Sequence, residues 1–284
     1  MKWQRGTKND NVVDIRGRKS VAPKVAGGGI ALALVALIVS RVLGVDVTGL
    51  IGGGGGTSAT QGPGSAAPPS GPDPDAELVD YIKFVMGDVQ DTFDAMFKAE
   101  GRTYAHAKLY IFSDAVNTAC GRAGANIGPF YCPGDSNAYI DLSFYRELKQ
   151  RFGAPGDFAQ AYVLAHEIGH HLQNLIRLDG KEPRPRAGET KNQHSVRIEL
   201  QADCFAGIWA SKAKGKNLLE ENDLEEALTA ATAIGDDRLQ QQAGVEVRPE
   251  SFSHGTSAQR VQWFRRGFDA GTFAACDTFA ATTL

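Results

Sequence analysis

Cysteine is scarce, at four residues, and no two stand in a C-x-x-C arrangement. That excludes paired-thiolate zinc sites and leaves an even number of thiols able to form disulfides. No self-similarity recurs at a period of roughly 20 to 50 residues, which excludes a solenoid. A basic surplus is also missing. The formal charge is −3, and seven Lys or Arg crowd into residues 1–24 against only Asp10 and Asp14, so the rest of the chain is more acidic than the total suggests. An acidic main domain has no electrostatic footprint for nucleic acid.

What is present fits one large domain with appendages: 284 residues, 42% of them hydrophobic, bury one substantial core. The stretch Val25 to Ser40 (VAGGGIALALVALIVS) carries no charge, and with Arg41 snorkelling it extends through Val45. That reaches the roughly 20 residues a bilayer needs. Its basic flank, Arg16, Arg18, Lys19 and Lys24, follows the positive-inside tendency. No clear A-x-A site follows, so an uncleaved anchor is expected rather than a signal peptide. The expected division is a basic cytoplasmic tail (1–24), one transmembrane helix (25–45) in the inner membrane, a Gly/Pro/Ser-rich linker (46–76) and an extracytoplasmic domain (77–284). The linker composition cannot offset the entropy of ordering it, and its flexible reach is roughly 25–30 Å.

An oxidising compartment suits the cysteines. Three connectivities are open. Cys120 and Cys132 flank a Gly-rich loop, which favours a local bridge and leaves Cys204 with Cys276.

Within the domain, Leu78, Ile82, Val85, Met86, Val89, Phe93 and Met96 recur at helical spacing up to Gly101. KLYIF (108–112) and AYIDL (138–142) read as strands. Asp157 and Gln160 suggest a capping box opening a helix to about Arg177. Further helices are expected over about 193–214, from Asn222 to near Gly235, and after Thr256 and Ser257. The fold class is α+β, with helices dominant.

Residues 166–170 read HEIGH. On a helix, residues four apart share a face, so His166 and His170 can bind one ion. Glu167 is offset by about 100°, where it can act on a water without ligating the metal. Catalytic zinc needs a third protein donor. On the next helix ELQAD places Glu199 and Asp203 four apart on one face. This resembles the gluzincin pattern, which implies Glu199 as third ligand and Asp203 as acceptor from a ligating histidine. More widely, HEIGHHLQN, ELQADCFAGIWA, PFYCPGD, YIDLSF and SHGTSAQRVQWF resemble the putative neutral zinc metallopeptidase family of bacterial membrane-anchored proteins. The resemblance implies a zincin-like domain, Zn2+ as cofactor, and a peptide or protein substrate cleaved with Glu167 as general base.

His254, just before the last helix, is a candidate to stabilise an oxyanion, with Tyr139 and Tyr145 behind it. His171 is expected on the surface or in packing, and His194 is assigned no role. The segment 138–142 is the expected edge strand for substrate. The rival reading is a membrane-tethered binding protein on a peptidase fold that has lost turnover.

Overall fold

The computed structural model describes residues 1–17, 72–124, 127–178 and 185–284. Strand β1 (Val12–Asp14) precedes helix α1 (Ala76–Ala99); strands β2 (Leu109–Phe112), β3 (Ala115–Thr118), β4 (Gly121–Gly124), β5 (Phe130–Cys132) and β6 (Asn137–Asp141) follow. Helices complete the chain: α2 (Ser143–Gln150), α3 (Asp157–Leu178), α4 (Lys191–Gly215), α5 (Asp223–Ala233), α6 (Asp236–Gln242) and α7 (Ser257–Ala270). The architecture is the expected helix-dominated α+β arrangement with a small sheet. The sheet runs β1-β2-β6-β5, with β1, β2 and β6 parallel and β5 antiparallel on β6. A separate hairpin pairs β3 with β4. The segment expected as the open edge, 138–142, is therefore internal, and β1 and β5 form the two edges. The disulfides are Cys120–Cys132, which ties β5 beside the hairpin, and Cys204–Cys276, which ties α4 to the C-terminal tail.

Helix α1 turns one apolar stripe inward: Ile82, Val85, Met86, Val89 and Phe93 have no solvent exposure. Each such side chain contributes about 1.5–3 kcal/mol by burial. Helices α3 and α4 lie deeper. Phe158, Tyr162, Leu164, Ile168 and Leu172 of α3, and Leu200, Phe205, Ile208 and Trp209 of α4, are all buried. Ionisable groups on the inward faces of these two helices are therefore desolvated and need partners.

Small residues set how closely the helices approach. A Cβ on Gly267 would lie 1.9 Å from the Cys204 carbonyl oxygen, and one on Gly207 2.0 Å from that of Phe264, so α4 and α7 touch backbone to backbone. A Cβ on Gly169, inside HEIGH, would lie 2.9 Å from Ala202 Cα. The glycine lets α3 settle against α4 beside the two carboxylates of ELQAD.

Two local expectations are corrected. The Asp157 box is not formed: Asp157 is already helical, its Oδ1 accepts from the Met1 ammonium at 2.6 Å, and the Phe158 N–H donates to Glu226. The helix expected from Asn222 does begin there, with Asn222 at φ 75° and no side-chain cap, and capping boxes form at Thr190/Gln193 and Thr256/Gln259. Residues 1–17, expected as part of a basic cytoplasmic tail, are packed on the domain. Met1 is buried, Trp3 meets Tyr81 edge-on at 5.5 Å, and β1 completes the sheet. The expected anchor (25–45) and most of the linker lie outside the described residues. Among the described residues, no helix is long and apolar enough to cross a membrane.

Candidate metal centre

Helix α3 carries His166 and His170 on successive turns, and α4 brings Glu199 to meet them. The two Nε2 atoms are 3.2 Å apart. Glu199 Oε2 lies 3.2 Å from the first and 3.6 Å from the second. Tetrahedral zinc with ligand distances of about 2.0–2.1 Å separates its ligand atoms by roughly 3.3–3.4 Å. The three atoms thus form one face of a tetrahedron of the right size. The donor set, two neutral imidazoles and a carboxylate, also suits a catalytic rather than a structural zinc. The other carboxylate cluster among the described residues, Asp157, Asp223 and Glu226, is already occupied by the Met1 ammonium.

Each histidine is held from behind. His166 Nδ1 donates to Asp203 Oδ1 at 2.8 Å, which leaves the Nε2 lone pair available to a metal ion. His170 Nδ1 meets Gln173 Oε1 at 2.9 Å. The amide of Gln173 is oriented in turn, because its Nε2 donates to the Ile198 carbonyl and to Gln201. Gln173 therefore presents oxygen to His170 and fixes the same tautomer.

Asp203 has no solvent exposure and is ringed by donors. Besides His166 it accepts from Tyr162 Oη at 2.5 Å, from Arg260 Nε at 2.8 Å and from Arg260 Nη2 at 2.9 Å. Burial would raise its pKa, but the Arg260 guanidinium and His166 outweigh that and hold it down at about 2. Ionised, it can only accept, so His166 must be the donor.

The electrostatics of the ligand cluster favour added positive charge. Burial opposes charge on His170, yet Glu199 overcomes it and lifts the pKa to about 9. Glu199 is held well below the usual carboxylate range despite its burial, chiefly by His170 and His254. Glu167 behaves differently: burial pushes its carboxyl up, and it is not among the converging ligand atoms.

His254 and Glu199 favour each other's charged form, which helps to hold the Glu199 carboxyl down and to raise His254. Its Nδ1 lies 3.0 Å from Asp236 Oδ1, while Asp236 Oδ2 accepts the backbone N–H groups of Ser253, His254 and Gly255. Asp236 thus fixes both the loop and the ring. Tyr139 is a packing residue, stacked between Tyr110 and Phe130 with its hydroxyl on Asp135. Tyr145 is buried against Glu167, with its hydroxyl unpartnered among the described residues. Of the two expectations for His171, packing holds: it is buried, with Nδ1 against Tyr131 Oη at 3.0 Å and Nε2 against the Ala105 carbonyl. His194 stands 3.4 Å from Glu189 at the start of α4.

A family model described as Putative neutral zinc metallopeptidase matches residues 1–279. The chain belongs to that family. It is similar to the uncharacterized protein YpfJ of Escherichia coli (strain K12), 44% identical over 98% of this chain and 99% of that one. It is also similar to the uncharacterized protein Rv2575 of Mycobacterium tuberculosis (strain ATCC 25618 / H37Rv), 42% identical over 68% of this chain and 69% of that one. No solved structure matches the chain. Zinc is the metal the family implies, and the donors described above fit it.

Four residues of the site escaped the sequence reading: Tyr162, Gln173, Asp236 and Arg260. Arg260 left a trace, since it shares the buried face of α7 with Trp263, Phe264 and Gly267. A charge on an apolar helical face calls for a buried partner. Gln173 stands three residues after His170, the spacing of helical neighbours.

Proposed function

We propose that the chain is a zinc-dependent peptidase in which His166, His170 and Glu199 hold the metal and Glu167 is the general base. The observation that carries the reading is the triangle of ligand atoms at 3.2, 3.2 and 3.6 Å with a desolvated, unligated carboxyl on the neighbouring helical position. Zinc, when bound, would supply Lewis acidity that polarises a carbonyl and makes water more acidic. Glu167 would take the proton of the attacking water and return it to the leaving amine, a task suited to a carboxyl whose pKa burial has raised. His254, held through Nδ1 by Asp236, would turn its other nitrogen to the oxygen that gains charge. Asp203 and Gln173 orient the ligands. Arg260 and Tyr162 hold Asp203.

An extended peptide is best accommodated along β5, the sheet edge nearest the metal helix. Tyr131 of that strand meets His171 Nδ1 at 3.0 Å and accepts from Asn174 at 2.9 Å, so β5 is tied to α3. Main-chain pairing there would lay a scissile bond beside the cluster. The test is hydrolysis of a mixed peptide library by the purified, zinc-loaded chain, followed by mass spectrometry. Cleavage that disappears in Glu167→Gln supports the reading. Full metal occupancy without any cleavage would favour a binding protein that has lost turnover.

A further inference from the structure

The residues on either side of the 18–71 segment meet at one place. Arg16 Nη2 lies 2.5 Å from Asp73 Oδ2, and Arg16 Nη1 lies 3.0 Å from Asp75 Oδ2. Before this clamp, β1 is bonded into the sheet: Leu109 N donates to the Asn11 carbonyl at 2.7 Å, and Ile15 N to that of Ile111 at 2.9 Å. The register runs Val12 to Leu109, Val13 to Tyr110 and Asp14 to Ile111. Further toward the N-terminus, Asn9 Nδ2 donates to the Lys83 carbonyl on α1 and Lys2 N to that of Leu218. These contacts spread residues 1–17 over the sheet, over α1 and over the loop after α4. They are part of one fold with residues 72–284.

A single crossing by the apolar run would leave Gly17 and Pro72 on opposite sides of a hydrocarbon layer about 30 Å thick. A strand cannot be hydrogen-bonded into a sheet across that layer. We infer that residues 1–17 and 72–284 fold on the same side of the membrane. The basic residues beside the apolar run then do not set a tail apart from the domain. Arg16 in particular is held by Asp14, Asp73 and Asp75 rather than by a charge preference of the cytoplasm. This inference does not depend on the metal centre.

Sidedness can be read by labelling the full chain in spheroplasts. The four native cysteines are bonded in pairs, so a single added thiol reports its own location. Lys8→Cys and Glu246→Cys are both exposed positions, one on the N-terminal segment and one on the domain. A membrane-impermeant maleimide is applied to intact and to lysed spheroplasts, and the intact-to-lysed labelling ratio is compared. The ratio should be unchanged between the two sites, whether both are reached from outside or both only after lysis. Labelling of Glu246→Cys in intact spheroplasts with Lys8→Cys reached only after lysis, or the reverse, would overturn the inference. Asp10→Cys and Val245→Cys, equally exposed, give the same comparison if either first variant accumulates poorly.

Discussion

Arg260→Met isolates the guanidinium that holds Asp203. Methionine keeps much of the stem volume but removes both guanidinium bonds to Asp203, at 2.8 and 2.9 Å, and the bond to the Ile234 carbonyl at 3.2 Å. Asp203 would be left with no solvent exposure and without its counter-ion. Breaking one partner of a buried ion pair costs about 3–5 kcal/mol. At roughly 2–4 °C per kcal/mol for a domain of this size, Tm should fall by about 6–20 °C. Asp203→Asn alone should weaken zinc binding by about 10–100-fold through His166. The double variant removes both charges, so it should be less destabilised than the two single losses added, by about 0.5–3 kcal/mol. The assay is thermal unfolding of the metal-free protein for all four members of the cycle, with chelator competition for zinc affinity. An Arg260→Met protein within about 1 kcal/mol of wild type, or strict additivity in the cycle, would refute the claim that Arg260 neutralises Asp203.

Glu167→Gln should keep zinc and lose about 10²–10⁴-fold in turnover, because an amide cannot accept the proton; equal activity would remove the assigned role. Asp236→Asn should lower kcat with zinc stoichiometry unchanged, since it frees His254 and three loop amides; His254→Ala should then add little further loss, and full additivity would separate the two residues. Gly267→Ala places a methyl on the Cys204 carbonyl and should cost about 1–3 kcal/mol or more in chemical denaturation, whereas a neutral effect would show that α4 and α7 do not touch there.

The convergence of His166, His170 and Glu199 was legible because a helix converts spacing into proximity: HEIGH and ELQAD each place two groups on one face without knowledge of the rest of the chain. The apolar stripe of α1 was legible for the same reason. Contacts set by distant pairing were not. Strand β1 is three residues among charges, and its partner begins at Leu109. The segment 138–142 was correctly a strand, yet alternation alone could not say that β2 and β5 would flank it. Arg260 meets Asp203 across 57 residues of chain. The Asp157 box failed through a competing ligand 156 residues away, the Met1 ammonium. In each case the local pattern was sound and a tertiary partner decided the outcome.

The central claim is that His166, His170 and Glu199 form one zinc site. Metal analysis of the purified chain after equilibration with zinc and removal of loosely bound ion tests it most directly. The wild-type chain should retain about one equivalent, and His166→Ala, His170→Ala and Glu199→Ala should each lose most of it while keeping the wild-type circular dichroism spectrum. Retention of one equivalent at wild-type affinity by all three variants would contradict the account.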